Sequence, residues 1–219
     1  MGTETVTLTG DKAMLGHSGY ERREGDLYPT PPENVDCLAH FIDLSNHAAW
    51  EPACGEGHIS KRLLGYARAV VSSDLHNRGY GSPGFNFLDV QALPRAVTDV
   101  CDDFAARPAI ITNPPYFDDM PEQFVRHALK LTHVRGGLVA MFLRNEYDMA
   151  STGRADLFEG HPAFAMKICV TKRPRWIEGS KGSPRHSYAW FIWDWRKAAE
   201  TPAAIHYIHP RNARKPTVN

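Results

Sequence analysis

Ile110-Ile111-Thr112-Asn113-Pro114-Pro115-Tyr116-Phe117 reads as a buried strand brought to a stop. A continuous apolar run from residue 109 to 112, without polar alternation, is what a strand covered on both faces carries. Proline has no N–H to give a ladder and holds φ near about −65°. Pairing is therefore expected to end at Thr112. The Asn113 side chain and the Pro114 carbonyl are then left rigid at the sheet edge, with an aromatic ring just beyond.

The same punctuation recurs outward from this stretch. Short apolar runs at 48–50 and 69–73, and a weaker one from Phe85 to Leu88, each close on an acid, a glycine or an asparagine. They read as further parallel strands. Helical patterns lie between them near 56–66, 92–105 and 119–133, the last turning Phe124, Ala128, Leu129 and Leu131 inward. Another helix opens at Pro31-Pro32-Glu33, with Val35, Leu38, Ala39, Phe41 and Ile42 on one face.

Gly136-Gly137 begins a strong strand, Leu138 to Leu143, and a helix is expected from Asn145 to Phe158. Lys167 to Thr171 and Ser187 to Trp193 are consecutive strands with no helix between them, which predicts an antiparallel C-terminal hairpin at one edge. Alternation puts Tyr188, Trp190 and Ile192 on one face of the last strand and Ala189, Phe191 and Trp193 on the other. The expected fold class is α/β, a doubly wound, mostly parallel seven-stranded sheet. Residues 27–209 are read as a single domain between a flexible arm at 1–26 and a frayed basic tail at 210–219.

Twenty-five Lys and Arg balance 25 Asp and Glu, and 42% of the 219 residues are hydrophobic. That is ordinary globular composition. The absence of a long apolar run or a charged-then-apolar N-terminus predicts neither a membrane helix nor a signal peptide, and hence a cytoplasmic protein. Cys37, Cys54, Cys101 and Cys169 form no CxxC pair, so reduced thiols are expected rather than a disulfide framework or zinc cluster. His206 and His209 are the one metal-like spacing, with no partner acid, and no metal is expected.

Neutrality hides an asymmetry. Residues 1–110 hold nine basic and 15 acidic side chains, and residues 111–219 hold 16 and ten. Much of the positive excess falls between Lys167 and Lys197, where eight basic residues face two acids.

Two further features surround the opening stretch. Trp50-Glu51-Pro52-Ala53-Cys54-Gly55-Glu56-Gly57-His58 is a strand end running into a glycine turn and a helix, a place where backbone approaches a ligand closely. A dinucleotide fingerprint would need a third glycine where Ser60 stands. Glu51 would repel a pyrophosphate and suits a cationic ligand. Asp74 closes the next strand, 17 residues beyond Gly57, where a carboxylate can hold a ribose diol. Asp89, ending Asn86-Phe87-Leu88-Asp89, could accept an exocyclic amine.

Asn113-Pro114-Pro115-Tyr116 resembles the catalytic motif of class I S-adenosylmethionine-dependent amino methyltransferases. Glu51 to Gly57 is similar to their cofactor loop, and Tyr28-Pro29-Thr30-Pro31-Pro32 resembles the motif preceding it in DNA adenine-N6 enzymes. The resemblance covers roughly residues 27–195 and implies a Rossmann-like methyltransferase fold. It implies that Glu51, Gly55 and Gly57, beside Pro52 and Ala53, cradle the methionine part of S-adenosyl-L-methionine. Thr30 would touch its carboxylate, Asp74 its ribose and Asp89 its adenine amine, with Tyr28, Leu75, Leu88 and Asn113 also among the cofactor-binding residues.

By the same resemblance, Asn113, Pro114, Pro115 and Tyr116 form the catalytic segment. The Asn113 amide oxygen and Pro114 carbonyl would accept the hydrogens of an exocyclic amine, while Tyr116, beside Phe117, stacks on the flipped target base. Arg173-Pro174-Arg175-Trp176 and the stretch from Lys181 to Arg185 put cations and an indole in one loop, as phosphate contact and base stacking require. The expected partner is a nucleic acid, with adenine N6 of DNA favoured and adenine N6 of RNA close behind. Roughly 100 residues follow Tyr116, and the remaining sheet elements consume nearly all of them, so target reading falls to loop 173–186 or a partner. Methylation of a protein glutamine amide and a non-catalytic cofactor-binding subunit are the alternatives.

Overall fold

A computed structural model describes residues 28–149, 152–176 and 184–216. The expected arm at 1–26, Lys181 and the end of the chain at 217–219 lie outside the described residues. Strands β1 (His47–Glu51), β2 (Ala69–Ser72), β3 (Arg107–Thr112), β4 (Leu138–Arg144), β5 (Phe164–Val170), β6 (Tyr188–Asp194) and β7 (Ala204–Ile208) form one sheet in the order β2-β1-β3-β4-β6-β5-β7. β6 runs antiparallel to both neighbours, and every other pair is parallel. The expected α/β sheet of seven strands with an antiparallel hairpin is present.

Helices cover both faces. α1 (Pro32–Phe41) and α2 (His58–Leu63) press Val35, Leu38, Ile59 and Leu63 onto the layer holding Ile111, Phe142 and Trp190. α3 (Arg95–Phe104) and α4 (Met120–His133) bring Val97, Cys101, Phe124 and Leu129 against Ile110, Met141 and Phe191 on the other. The period-two split of β6 holds residue by residue: Tyr188, Trp190 and Ile192 join the first layer, and Ala189, Phe191 and Trp193 the second. Large buried side chains of this kind each contribute about 1.5–3 kcal/mol by leaving water. The buried indoles also keep their N–H groups bonded, Trp190 to the Asn34 carbonyl at 2.7 Å and Trp193 to that of Leu157 at 2.8 Å.

Four local expectations are corrected. Phe85 to Leu88 is not a strand: Asn86 Oδ1 accepts from the Leu88 amide at 3.3 Å and caps a 3₁₀ turn, Phe87–Asp89, whose Phe87 plugs the core between Trp50 and Phe124. The helix expected over 56–66 shortens to α2, because Gly57 at φ 79° is still outside helical geometry. Among the described residues of 145–158 the regular element is a 3₁₀ run, Thr152–Leu157. There Arg126 takes the Gly153 carbonyl at 2.9 Å and Arg154 that of Tyr147 at 3.2 Å. The hairpin is not at the sheet edge, since β7 adds outside it, parallel to β5.

The four cysteines are free and buried. His206 stacks on Phe41 at 4.4 Å, and His209 caps a 3₁₀ turn, Pro210–Asn212. Residues 210–216, expected as a frayed tail, pack back on α1: Lys215 Nζ lies 2.9 Å from the buried Asp36 carboxylate, and the Arg214 amide donates to His40 at 3.2 Å. Among the described residues, no helix is long and apolar enough to cross a membrane.

Candidate active site

β1 lies between β2 and β3, so the chain's crossovers leave it in opposite directions and a crevice opens beyond the strand ends. The cleft there encloses about 920 Å³, open mouth included. Its walls come from the segments that follow β1, β2 and β3, from Phe85-Asn86-Phe87 at the 3₁₀ turn, and from the strap Tyr28-Pro29-Thr30 that leads into α1.

Glu51 ends β1 and turns toward the start of α2. Its Oε2 accepts from the Ser60 amide at 2.7 Å and from the Ser60 hydroxyl, which the Ser72 hydroxyl approaches at 2.6 Å. Ser60 thus fills the position of a third glycine with two donors for a buried acid. At 2% exposure, burial pushes the Glu51 carboxyl up to about 8 against the pull of the Ser60 hydrogen bonds, and Asp74 adds to the rise.

Gly55 and Gly57 both adopt left-handed backbone, at φ 53° and 79°. Gly55 lines the cleft with Pro52 and Ala53, and its amide donates to Asp74 Oδ2 at 2.8 Å. Gly57 is not in the lining. The Tyr80 ring rests on it, so close that a Cβ there would stand 2.3 Å from the ring.

Asp74 is buried, and its other oxygen accepts from the His76 amide at 2.8 Å. This carboxylate therefore ties the loop after β1 to the loop after β2, while Leu75 stands exposed at the cleft wall. Leu88 and Asp89 are not brought to the cleft. Because the chain makes a 3₁₀ turn there, Phe85, Asn86 and Phe87 line it instead, and Asp89 is exposed, accepting from Asn86 Nδ2 at 2.8 Å. Asn86 was legible only as a turn capper, an Asn two residues ahead of the amide it holds.

Asn113 Nδ2 donates to the Tyr28 carbonyl at 3.3 Å. Its Oδ1 is buried and has no hydrogen-bond partner among the described residues. Pro114, Pro115 and Phe117 line the cleft, Phe117 being 41% exposed. Tyr116 lies outside the lining: its hydroxyl donates to the Phe142 carbonyl at 2.5 Å, and its half-buried ring meets Tyr188 edge-on at 5.9 Å.

Arg173, Arg175 and Arg185 are exposed on the loop between β5 and β6. Arg173 bridges the two arms of that loop, donating to the Pro184 carbonyl at 3.1 Å and to Ser187 Oγ at 3.4 Å. Arg144, at the end of β4, was not singled out in the sequence, although it pairs across from Tyr188. Burial first, and then Arg144, hold His186 below its ordinary range, with Glu146 opposing them and Arg185 and Arg173 adding smaller pulls. Lys167 belongs to the basic stretch only by sequence. It is buried, with Nζ 2.9 Å from both oxygens of Asp148. Trp176 turns inward, edge-on to Tyr28 at 5.8 Å and to Tyr188 at 4.9 Å.

The fold is shared with solved methyltransferases. A type I restriction-modification system methyltransferase subunit from Streptococcus thermophilus superposes with TM-score 0.51 at 16% identity, over 76% of this chain and 44% of that one. The type I restriction enzyme EcoKI M protein gives 0.50 at 12% identity, over 82% and 48%. The 23S rRNA methyltransferase ErmE gives 0.53 at 16% identity, over 79% and 71%. The chain thus has a Rossmann-like methyltransferase fold and spans less than half the length of the two type I subunits. No protein-family model and no curated protein sequence matches it.

Proposed function

We propose that the chain transfers a methyl group from S-adenosyl-L-methionine to an exocyclic amine of a nucleic-acid base, adenine N6 in DNA being the favoured acceptor. The observation that carries this reading is the Asn113 carboxamide. Its amide nitrogen is committed to Tyr28, and its buried oxygen is an acceptor with no hydrogen-bond partner among the described residues. A buried acceptor left open costs about 1–3 kcal/mol, a cost that a bound amine would offset.

The cleft suits the cofactor by its donor set. Phe85, Phe87 and Leu75 offer apolar surface for a purine beside the Asn86 carboxamide, and Asp74 and the left-handed Gly55 suit a sugar and close backbone approach. Glu51 in the wall and Thr30 on the strap suit an ammonium and a carboxylate. When bound, the cofactor supplies an electrophilic methyl on a sulfonium. The chain's own part is placement. An exocyclic amine is a poor nucleophile because its lone pair is shared with the ring. Asn113 Oδ1 and the Pro114 carbonyl, both accepting its hydrogens, would pyramidalise the nitrogen and aim the lone pair. Neither is a strong base, so the proton leaves to water after the methyl has moved.

Exposed Arg173 and Arg185 on the loop before β6, with Arg144 at the end of β4 across from Tyr188, favour a phosphate-bearing acceptor over a protein amide. RNA is the second reading, favoured by the likeness to the 23S rRNA methyltransferase over 71% of that chain. Transfer of labelled methyl to duplex DNA, single-stranded DNA, RNA and protein extract in parallel tests the reading. Label is expected in nucleic acid, and label in protein alone contradicts it.

A further inference from the structure

Trp176 stands at a junction between the basic loop and the Asn113 segment. Its indole meets Tyr28 at 5.8 Å, Tyr188 at 4.9 Å and Phe142 at 6.3 Å, each time edge-on. Each of these three partners holds one end of the segment. The Tyr28 carbonyl accepts from Asn113 Nδ2, the Phe142 carbonyl accepts from the Tyr116 hydroxyl, and the Tyr188 ring abuts Tyr116. Arg173 and Arg175 precede the indole by three residues and one.

We infer that Trp176 is a positioning residue: through Tyr28 and Tyr188 it sets the Asn113 carboxamide and the Tyr116 ring, and so couples a polyanion held by the loop to the acceptor oxygen. The inference rests on the proposed methyl transfer. Asn113 Nδ2 is held by the Tyr28 carbonyl, so a shift of the strap moves the acceptor that orients the carboxamide. The position of the strap depends in turn on what packs against the Tyr28 ring. An indole seated there transmits loop position to Oδ1. In the free chain it faces this aromatic cluster and the core layer behind it, which sets it apart from the exposed arginines beside it.

Steady-state methyl transfer to a duplex oligonucleotide tests this with Trp176→Ala, Trp176→Leu and Trp176→Phe. Misplacing a reacting group by an ångström costs on the order of 100-fold, so kcat is expected to fall about 30- to 100-fold in the Ala and Leu variants. KM for both substrates should stay within about threefold, and Trp176→Phe should recover most of kcat by restoring an aromatic edge. The Leu variant keeps apolar bulk, so the comparison survives if the Ala variant fails to fold. An unchanged kcat, or a raised KM with kcat intact, overturns the inference; the second result would make the indole a substrate contact. A readout free of chemistry separates this inference from the function beneath it. The side-chain amide NMR signals of Asn113, identified by their loss in Asn113→Ala, are expected to move in Trp176→Leu and return in Trp176→Phe. Signals that stay in place overturn the inference whatever the chain methylates, and a wild-type chain that labels no nucleic acid contradicts only the proposed function.

Discussion

The side-chain amide of Asn113 donates to the carbonyl of Tyr28, 85 residues earlier, and this bond leaves the carboxamide oxygen as the unused end of a residue that lines the cleft. With nitrogen bonded to the strap, the buried oxygen is the acceptor that the proposed reading gives to the substrate amine. Asn113→Ala is expected to cut methyl transfer by about 100- to 1,000-fold, the usual effect of removing one group that binds in the transition state. Cofactor affinity should stay within several-fold by calorimetry, since the contacts that suit the cofactor come mainly from other segments. A large loss of cofactor affinity would reassign Asn113.

Glu51 gives the cleft a pH dependence of definite sign. Burial raises its carboxyl from an ordinary value near 4.5 to about 8, so across that window the folded chain holds a proton that the unfolded chain releases. The associated stability is whole below about pH 4.5 and is lost as pH rises through about 8. Glu51→Gln keeps an acceptor for Ser60 and should flatten this slope in thermal unfolding followed from pH 5 to 9. Because the ionised carboxylate attracts a cation, cofactor affinity in the wild type should rise across the same window and lose that rise in the Gln variant.

Exposed charge on the loop should set the salt response. The Arg173→Gln, Arg175→Gln pair is expected to weaken nucleic-acid binding and to lower the slope of log K against log salt by about 0.7–0.9 for each phosphate no longer neutralised. Fluorescence anisotropy over a salt series measures it. An unchanged slope would mean that the loop does not meet the backbone.

Gly57 serves the fold of the turn more than the cleft. Gly57→Ala places a side chain at φ 79° and drives it into the Tyr80 ring, and should cost about 1–3 kcal/mol in denaturant unfolding from the backbone alone. Tyr80→Ala in the same chain should relieve the collision and leave the backbone part.

Asn86 and Asp89 separate two readings of one turn. Asn86→Ala is expected to weaken cofactor binding by up to about tenfold, the worth of one net hydrogen bond. Asp89→Ala acts only through its bond to Asn86 and should do less. The reverse order would restore the strand-end reading of Asp89.

What was legible in the sequence follows the range of the interactions involved. The stop at Asn113, the turn from Glu51 to Gly57 and the alternation along β6 are local patterns of proline, glycine and period two, and the chain folds as they dictate. Phe85 to Leu88 misled because apolar content alone does not separate a strand from a capped turn whose Phe87 plugs the core. β7 was missed because its exposed positions are the apolar Ile205 and Tyr207 while His206 is partly covered, and because its pairing partner lies about 40 residues back. The bond between Tyr28 and Asn113 and the inward turn of Trp176 are tertiary facts, with no signature in either segment by itself.

The most direct test of the central claim is mass analysis of nucleosides released from nucleic acid treated with the wild-type chain and S-adenosyl-L-methionine, beside the Asn113→Ala variant. N6-methylated adenine from the wild type, and at least about 100-fold less from the variant, is the expected result. Methyl found only on a ring carbon, only in protein, or equally with both chains would contradict it.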